Sequence, residues 1–270
     1  MSIGFTIRTG ERRGNAARGR DHKLEAMIAA NALEILFQPW IELGSGRVVA
    51  AEALTRSKVE PDPARLFERA GRAGLDGQLS LLAQRKALGQ AARWFGPLGE
   101  LGISINLLPG EVASGDHDLW LLAEMERIGF DPRRLTVEIT EDSLIVGEPT
   151  VIERLERLRS AGVTVALDDF GTGYASLDYL NQLPIDLIKI DRSLVAGVVN
   201  GQRDRIVMKA MIGLAKELEI RTLVEGVEDA GQLALLGEWD CDLFQGFLGS
   251  RALSEAALAR FVAKTNGRPD

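Results

Sequence analysis

Six polar residues that could bind metal ions recur along the chain, each at or near the end of a short apolar run. They are Glu52, Asn106, Glu138, Asp168, Asp169 and Glu225. Charged side chains are almost never fully buried without partners, so carboxylates at several strand ends predict a shared cavity. Carboxylate and amide oxygens are the ligands that Mg2+ and Mn2+ prefer. The residues therefore predict a site for divalent cations, which would attract phosphate to an otherwise acidic protein.

Two neighbouring acids, Asp168 and Asp169, are the most informative of these residues. A carboxylate that bridges two ions about 4 Å apart lets them hold a phosphoryl group and activate a water molecule. We expect Asp168 to be this bridge. Lys189 and Gln245 stand near the ends of two later apolar runs. Cations beside Lys189 would lower its pKa, so we expect it to orient or deprotonate the attacking water.

Each of these residues also has a structural interpretation when it is taken alone. The tripeptide Glu-Ala-Leu at 52–54 is a weak motif in an alanine-rich chain, and Asn106 is typical of turns. Lys189 could be a solvated lysine, and Gln245 could belong to a tight bend. The segment 168–173, Asp-Asp-Phe-Gly-Thr-Gly, suits helix capping as well as metal binding. Their common position favours a site, because unrelated polar residues would be scattered over both ends of the strands.

Eight short runs rich in apolar or β-branched residues predict eight strands, and amphipathic stretches between them predict helices. The strands are predicted at 33–43, 47–56, 102–108, 135–140, 163–168, 187–191, 221–227 and 243–248. The helices are predicted at 78–94, 118–128, 149–160, 204–219, 232–238 and 254–264. This alternation predicts an α/β fold, a (β/α)8 TIM-like barrel. Only Gly44-Ser45-Gly46 separates the first two strands, so we expect the first strand to be antiparallel.

Composition limits the possible functions of the chain. The net charge of −7 argues against binding of nucleic-acid backbone. With Cys241 as the single cysteine and two histidines, a zinc site is not expected. Neither a signal peptide nor a long apolar run is evident, so we expect a cytoplasmic protein without membrane insertion. Residues 1–20 are predicted to be a flexible leader or linker, and residues 21–270 a single barrel domain.

Nearly the whole chain, from about residue 22 to about residue 258, resembles the EAL-domain cyclic di-GMP phosphodiesterases. The supporting blocks are Phe37-Gln38-Pro39, Ala51-Glu52-Ala53-Leu54-Thr55-Arg56, Ser104-Ile105-Asn106-Leu107, Val137-Glu138-Ile139-Thr140-Glu141, the segment 167–174, Leu183-Pro184-Ile185-Asp186, Lys189-Ile190-Asp191-Arg192-Ser193, Glu225-Gly226-Val227-Glu228 and Gln245-Gly246-Phe247. The segment 167–174 and the two blocks between 183 and 193 are the most specific. The sequence departs from the family pattern at Leu108, Val224, Asp240 and Ala252, none of which is an expected metal ligand.

The resemblance implies hydrolysis of cyclic di-GMP to linear pGpG with two divalent cations, Mg2+ or Mn2+. It implies that Glu52, Asn106, Glu138, Asp168, Asp169 and Glu225 bind the metals. It also implies that Lys189 positions water, with Glu225 as a base and Gln245 as a hydrogen-bond partner. Gln38 and Arg56 are the implied substrate contacts, with Glu228 and Phe247 as weaker candidates. Glu141 is implied to steady the loop after Asp169.

In the resembled family this loop connects metal binding to dimer contacts, so a homodimer is expected. The candidate contacts are Tyr174, Leu177, Tyr179 and Leu180, which could instead pack the following helix on the barrel. Fusion or coupling to a sensor or GGDEF domain is a further expectation. Two other functions stay open: a catalytically weak or inactive cyclic di-GMP sensor that acts through a partner domain, and an enzyme for another phosphoester.

Overall fold

The computed structural model describes residues 20–113, 116–140, 149–171, 180 and 182–267. Eight strands in these residues form one closed barrel in chain order. They are β1 Glu34–Glu42, β2 Val48–Arg56, β3 Gly102–Asn106, β4 Leu135–Thr140, β5 Thr164–Phe170, β6 Leu187–Ile190, β7 Arg221–Val224 and β8 Leu243–Phe244. Strand β1 is antiparallel to both of its neighbours, and the remaining pairs are parallel. The predicted TIM-like barrel with an antiparallel first strand is confirmed.

Helices follow or precede most strands and cover the outside of the barrel. They are α1 His22–Ala29, α2 Pro63–Ala73, α3 Asp76–Ala91, α4 Pro109–Ala113, α5 His117–Ile128, α6 Pro149–Ser160, α7 Arg192–Val195, α8 Gln202–Glu217, α9 Ala230–Glu238 and α10 Glu255–Asn266. The sequence analysis did not assign α1, α2, α4 and α7. Helix α2 nevertheless has clear signals, because Asp62 caps its first turn, Pro63 follows, and Gly74 ends it in the left-handed conformation. No helix in the described ranges combines the length and apolar character needed to cross a membrane.

The last two strands are shorter than predicted, and each is followed within two residues by a tightly surrounded glycine. Gly226 has φ +67°, and a Cβ at this position would lie 2.3 Å from Cβ of Arg192. A Cβ on Gly246 would lie 2.1 Å from the carbonyl oxygen of Val227. Only glycine fits both positions without a shift. Strand β7 ends one residue before Glu225, and β8 ends one residue before Gln245.

The barrel interior has two layers of different character. Near the strand starts, an apolar layer fills the barrel, formed by Trp40, Ala50, Ala166, Leu187, Leu223 and Leu243. A cavity of about 720 Å³ lies against this layer at the amino-terminal ends of the parallel strands. The predicted chemistry is at the opposite, carboxyl-terminal end, where barrel enzymes place their active sites. The apolar layer therefore forms the floor beneath the polar residues.

Candidate active site

Lys189, at the third position of β6, is the centre of the polar layer. Its side chain is 1% exposed, and four carboxylates surround its Nζ atom. The distances are 2.7 Å to Glu138 Oε2, 2.8 Å to Glu225 Oε1, 3.0 Å to Asp168 Oδ1 and 3.9 Å to Glu52 Oε1. We call these five residues the carboxylate cluster. The fold thus brings together acids that are separated by as many as 173 positions in the sequence, from 52 to 225.

Strand geometry explains why these side chains point inward. Successive side chains of a strand lie on opposite faces of the sheet. In β4, Val137 and Ile139 pack in the core between the sheet and its helices. Glu138 lies between them and is therefore directed into the barrel, where it is 1% exposed. In β6, Ile188 and Ile190 pack outward in the same way, so Lys189 is directed inward.

Two amide side chains hold the remaining acid, Glu52, in place. Gln245 Nε2 donates a hydrogen bond of 2.7 Å to Glu52 Oε2. Asn106 Nδ2 donates a longer one of 3.4 Å to Glu52 Oε1. Glu52 is 7% exposed, so these bonds offset part of the cost of burying its charge. The predicted residues of β2 and β3 and the residue that directly follows β8 therefore meet at one carboxylate.

Burial and neighbouring charges shift the pKa values of Glu138, Glu225 and Lys189. Burial raises the pKa of Glu138 well above its usual range, and the neighbouring carboxylates act in the same direction while Lys189 opposes them. The pKa of Glu225 is raised for the same reasons. For Lys189, burial lowers the pKa, but the surrounding carboxylates outweigh it and raise the pKa well above the usual range. The expected lowering of the Lys189 pKa depended on neighbouring cations and stays a prediction.

The oxygen atoms of the cluster fit divalent cations in kind. Glu138 Oε1 and Gln245 Oε1 are buried and have no hydrogen-bond partner among the described residues. Four carboxylates face a single ammonium, so three negative charges are unbalanced when all are ionised. Hard oxygen ligands with excess negative charge suit Mg2+ and Mn2+. In the described residues, no group of three or more histidine, cysteine, aspartate or glutamate side chains already surrounds one ion position. The acids of the carboxylate cluster converge on Lys189 instead.

The backbone changes its path at Asp168 and Asp169. The pairing of β5 with β6 is irregular between Leu167 and Phe170. Asp169 has φ +57°, an uncommon conformation that aspartate tolerates better than most residues. Its backbone N–H donates to Oδ1 of Asp168 at 3.0 Å. Such bulges occur beside active sites and redirect side chains, so strict alternation no longer assigns Asp169 to the outer face.

The predicted substrate contacts Gln38 and Arg56 lie on β1 and β2. Gln38 is the direct pairing partner of Glu52, and its Nε2 donates to the carbonyl of Ser250 at 3.1 Å. Arg56 ends β2, four residues after Glu52 and so on the same face of the strand. Its guanidinium donates to the Thr55 carbonyl at 2.8 Å. Gln38 therefore lies beside Glu52, and Arg56 lies nearer the rim of the barrel.

The weaker substrate candidates, Glu228 and Phe247, lie in loops after β7 and β8. Glu228 is exposed, and its backbone N–H donates to Gln232 Oε1 at 2.7 Å. Phe247 is 52% exposed, and the guanidinium of Arg251 lies 3.8 Å from its ring centroid. An exposed ring of this kind offers a surface on which a base can stack. Arg251 was not predicted, because the sequence gives no sign of its contact with the ring.

Several predicted residues lie outside the described part of the chain. They are Glu141, Tyr174, Leu177 and Tyr179. Of the proposed dimer contacts, only Leu180 is described, and it is 6% exposed and packs in the hydrophobic core. This burial agrees with the packing interpretation of Leu180 rather than with a contact to a second chain. The predicted leader, residues 1–20, is likewise not described apart from Arg20.

Comparisons with known proteins agree with this geometry. The sequence model of the family described as EAL domain matches residues 21–252. The chain belongs to the EAL-domain family. It is 35% identical over 248 residues to the cyclic di-GMP phosphodiesterase NbdA of Pseudomonas aeruginosa, an alignment that covers 90% of this chain and 32% of that protein. The chain thus spans about a third of the length of this curated relative.

Solved structures show the same fold. The phosphodiesterase PaMucR in complex with c-di-GMP superposes with a TM-score of 0.81 at 28% identity, covering 88% of this chain and 98% of that one. The manganese and cyclic di-GMP complex of Klebsiella pneumoniae BlrP1 gives a TM-score of 0.74 at 31% identity, covering 82% of this chain and 56% of that one. The fold and the family expected from the sequence are therefore both confirmed.

Proposed function

We propose that this chain is a metal-dependent phosphodiesterase domain that hydrolyses cyclic di-GMP to linear pGpG. The observation that carries the proposal is the convergence of Glu138, Asp168 and Glu225 on Nζ of Lys189, all within 3.0 Å. This cluster lies at the carboxyl-terminal end of an EAL-family barrel. PaMucR and BlrP1 bind cyclic di-GMP in their solved structures, and NbdA is named a cyclic di-GMP phosphodiesterase, which supports the proposed substrate.

Six residues would hold two divalent cations, Mg2+ or Mn2+. They are Glu52, Asn106, Glu138, Asp168, Asp169 and Glu225. When bound, the cations would activate water and stabilise negative charge on the phosphoryl group. The unpartnered oxygen of Glu138 supports this assignment, because a buried acceptor without a donor is costly unless something binds it.

The protein's own groups would orient the reaction. Lys189 would position the attacking water through Nζ. Glu225, whose Oε1 lies 2.8 Å from Nζ, would accept a proton from that water. Burial raises the pKa of Glu225, which suits a group that takes up a proton near neutral pH. Gln245 would keep Glu52 in orientation through its 2.7 Å hydrogen bond. Glu141 is proposed to steady the loop after Asp169.

Substrate would bind at the rim above the cluster. Arg56 has donors suited to phosphate oxygens or to a guanine edge, and Gln38 has an amide for a second polar contact. Phe247 would stack on a guanine base, while Glu228 could accept from guanine N–H groups. A homodimer, a cytoplasmic location, coupling to sensor or GGDEF domains, and the division into residues 1–20 and 21–270 stay predictions.

The first test is incubation of the purified chain with cyclic di-GMP and Mg2+ or Mn2+, with an EDTA control. Chromatographic appearance of pGpG only with metal would support the proposal. Intact cyclic di-GMP together with saturable binding would instead establish the sensor alternative. Absence of both binding and hydrolysis would direct attention to another phosphoester.

A substitution at the proposed bridging acid tests the mechanism. Asp168→Asn keeps the shape of the side chain but removes the negative charge that two cations would share. Substitution of residues that only contact metal ligands typically lowers metal affinity or activity 10- to 100-fold. Loss of a ligand itself should have a larger effect, so we expect the rate of hydrolysis to fall at least about 100-fold. Asp131→Asn, at a partly exposed aspartate paired with Arg133, is the matched control. Equal activity in Asp168→Asn and the control would contradict the assigned role.

A further inference from the structure

A polar network behind β3 contacts the backbone of Asn106, one of the proposed metal ligands. It consists of Ser80 and Gln84 on α3 and Glu111 on α4, and we call it the α3 network. Gln84 Nε2 lies 3.3 Å from the Asn106 carbonyl oxygen, 3.0 Å from Ser80 Oγ and 3.1 Å from Glu111 Oε2. Ser80 Oγ donates to the same Glu111 oxygen at 3.0 Å. The network thus joins two helices to the end of a barrel strand.

The side chains of Ser80 and Gln84 are buried, so hydrogen bonds must offset the cost of removing their polar groups from water. Ser80 is 3% exposed and Gln84 is 2% exposed, although both lie on the inward face of an amphipathic helix where apolar residues are usual. A buried polar side chain is costly unless it is hydrogen-bonded. Leucine or methionine would fill the position of Gln84 without that cost. The polarity of Gln84 is therefore tied to the groups it contacts, which include the Asn106 carbonyl.

Hydrogen bonds fix the three residues from Asn106 to Leu108 in turn. Gln84 binds the carbonyl of Asn106. The N–H of Leu107 donates to the Glu138 carbonyl at 2.9 Å, which continues the pairing of β3 with β4. The N–H of Leu108 donates to Glu111 Oε2 at 2.8 Å. The backbone that carries the Asn106 amide thus has little freedom to move, and this amide lies 3.4 Å from Glu52.

We infer that Gln84, supported by Ser80 and Glu111, is a positioning residue that holds Asn106 in the geometry needed to bind a divalent cation. The inference rests on the proposed function, because it assigns Asn106 to the metal site. Residues behind metal ligands typically contribute 10- to 100-fold to metal affinity or activity. Loss of the Gln84 amide should therefore weaken metal binding about 10-fold through Asn106, without removing any ligand.

The test compares metal binding in Gln84→Met with the wild type. Methionine matches glutamine in length and flexibility but has no strong hydrogen-bond donor. The melting temperature of the full chain is measured against the concentration of Mg2+ or Mn2+ alone, without substrate. A ligand that binds the folded state raises the melting temperature according to its dissociation constant, so this titration reports affinity without catalysis. The half-activating metal concentration for hydrolysis gives a second readout.

Thr222→Val is the matched control. Thr222 is also buried and hydrogen-bonded, through Oγ1 to Asp242, but it lies near the start of β7 at the opposite end of the barrel. Both variants are expected to lower the melting temperature measured in EDTA. Only Gln84→Met should shift the metal titration, by about 10-fold, while Thr222→Val should leave its midpoint unchanged.

The outcomes separate this inference from the proposed function. A shifted metal titration in Gln84→Met supports the inference even if no pGpG is formed, a result that would overturn hydrolysis only. An unshifted titration, or a wild type whose melting temperature does not respond to metal, overturns the inference. If Gln84→Met does not fold, Ser80→Ala serves instead, since it removes one hydrogen-bond partner of Gln84. A shift of the metal titration of Ser80→Ala to higher metal concentration then supports the inference, and its absence overturns it.

Discussion

At the scale of single residues, the candidate site is organised around one buried positive charge, the ammonium group of Lys189. An ammonium in a barrel interior is stable only when its cost of desolvation is offset, and Lys189 has three carboxylates within 3.0 Å. The ionised carboxylates in turn repel one another unless a positive charge lies between them. Lys189 and bound cations would therefore both compensate the same negative charge. This shared role links the stability of the site to its proposed chemistry.

Removal of the Lys189 charge tests this dependence. Lys189→Met should lower the free energy of unfolding in EDTA by about 3 kcal/mol, because it leaves buried carboxylates without their partner. Lys216→Met, which breaks an exposed ion pair with Asp240, is the matched control and should cost less than about 1 kcal/mol. Chemical denaturation in EDTA measures both values. Equal losses in the two variants would show that the buried cluster does not depend on Lys189.

The pH dependence of stability offers a second test at this scale. Burial, reinforced by Asp168 and Glu52 and opposed by Lys189, raises the pKa of Glu225 to about 8. An acid whose pKa is higher in the folded state binds more protons when folded, so its contribution to stability is complete below about pH 4 and is lost as the pH rises through about 8. Glu138 acts in the same direction.

We therefore expect the wild type in EDTA to lose stability relative to Glu225→Gln between about pH 5 and pH 8. The loss should be about 2 kcal/mol, since the Glu225 side chain is 23% exposed and solvent screens part of the effect. Denaturation curves of both proteins across this range measure the difference. A difference that is constant with pH, or that grows in the opposite direction, would contradict the raised pKa.

At the scale of the secondary-structure elements, the sequence predicted the identity and order of the eight strands but not all of their ends. Periodicity identifies a strand such as β4, where Val137 and Ile139 alternate with Glu138. It cannot show that β7 ends at Val224, because the left-handed backbone of Gly226, with φ +67°, leaves no trace in the alternation of apolar residues. The chemistry predicted for the strand ends was less sensitive to this difference, since Glu225 directly follows the last strand residue.

One departure from the family pattern is explained at this scale. Asp240, at a position where the resembled family commonly has glycine, has φ +58°. A side chain in this left-handed conformation costs roughly 1 kcal/mol or more, and aspartate and asparagine tolerate it best after glycine. Asp240 also pairs with Lys216 at 2.7 Å on the surface, where such pairs contribute little.

The effect of substitutions at Asp240 on the free energy of unfolding should therefore depend on backbone conformation rather than on charge. We expect Asp240→Ala to lower the free energy of unfolding by about 1 kcal/mol, and Asp240→Gly and Asp240→Asn to stay within about 0.5 kcal/mol of the wild type. Urea denaturation at neutral pH distinguishes these values. If Asp240→Asn were as destabilising as Asp240→Ala, the ion pair with Lys216 would be the more important contribution.

At the scale of the whole molecule, the barrel joins residues whose relation the sequence does not reveal. Alternation and strand order were enough to predict that Glu52 and Glu225 share one end of the barrel. The α3 network was missed, because Gln84 is 22 positions from Asn106 and nothing in the helical pattern indicates a contact with that carbonyl. Distances around Lys189 were also beyond prediction, since they depend on how far each strand is shifted against its neighbour.

The floor of the barrel provides the last prediction. Trp40 is 2% exposed and is the largest member of the apolar layer beneath the carboxylate cluster. Trp40→Ala would leave a cavity between the strands that the closed barrel cannot collapse to fill, so the free energy of unfolding should fall by about 3–5 kcal/mol. Trp40→Phe keeps an aromatic ring and removes an indole N–H that has no hydrogen-bond partner among the described residues.

Trp40→Phe should therefore cost clearly less than Trp40→Ala, since a buried unpaired donor contributes nothing favourable. Trp239→Ala, at a partly buried tryptophan next to the end of α9, controls for loss of an indole outside the barrel. Chemical denaturation measures the free energy of unfolding of all three variants. Hydrolysis of cyclic di-GMP is assayed well below their melting temperatures. If Trp40→Ala matched the Trp239 control in stability, the apolar layer would not be the support on which the polar site rests.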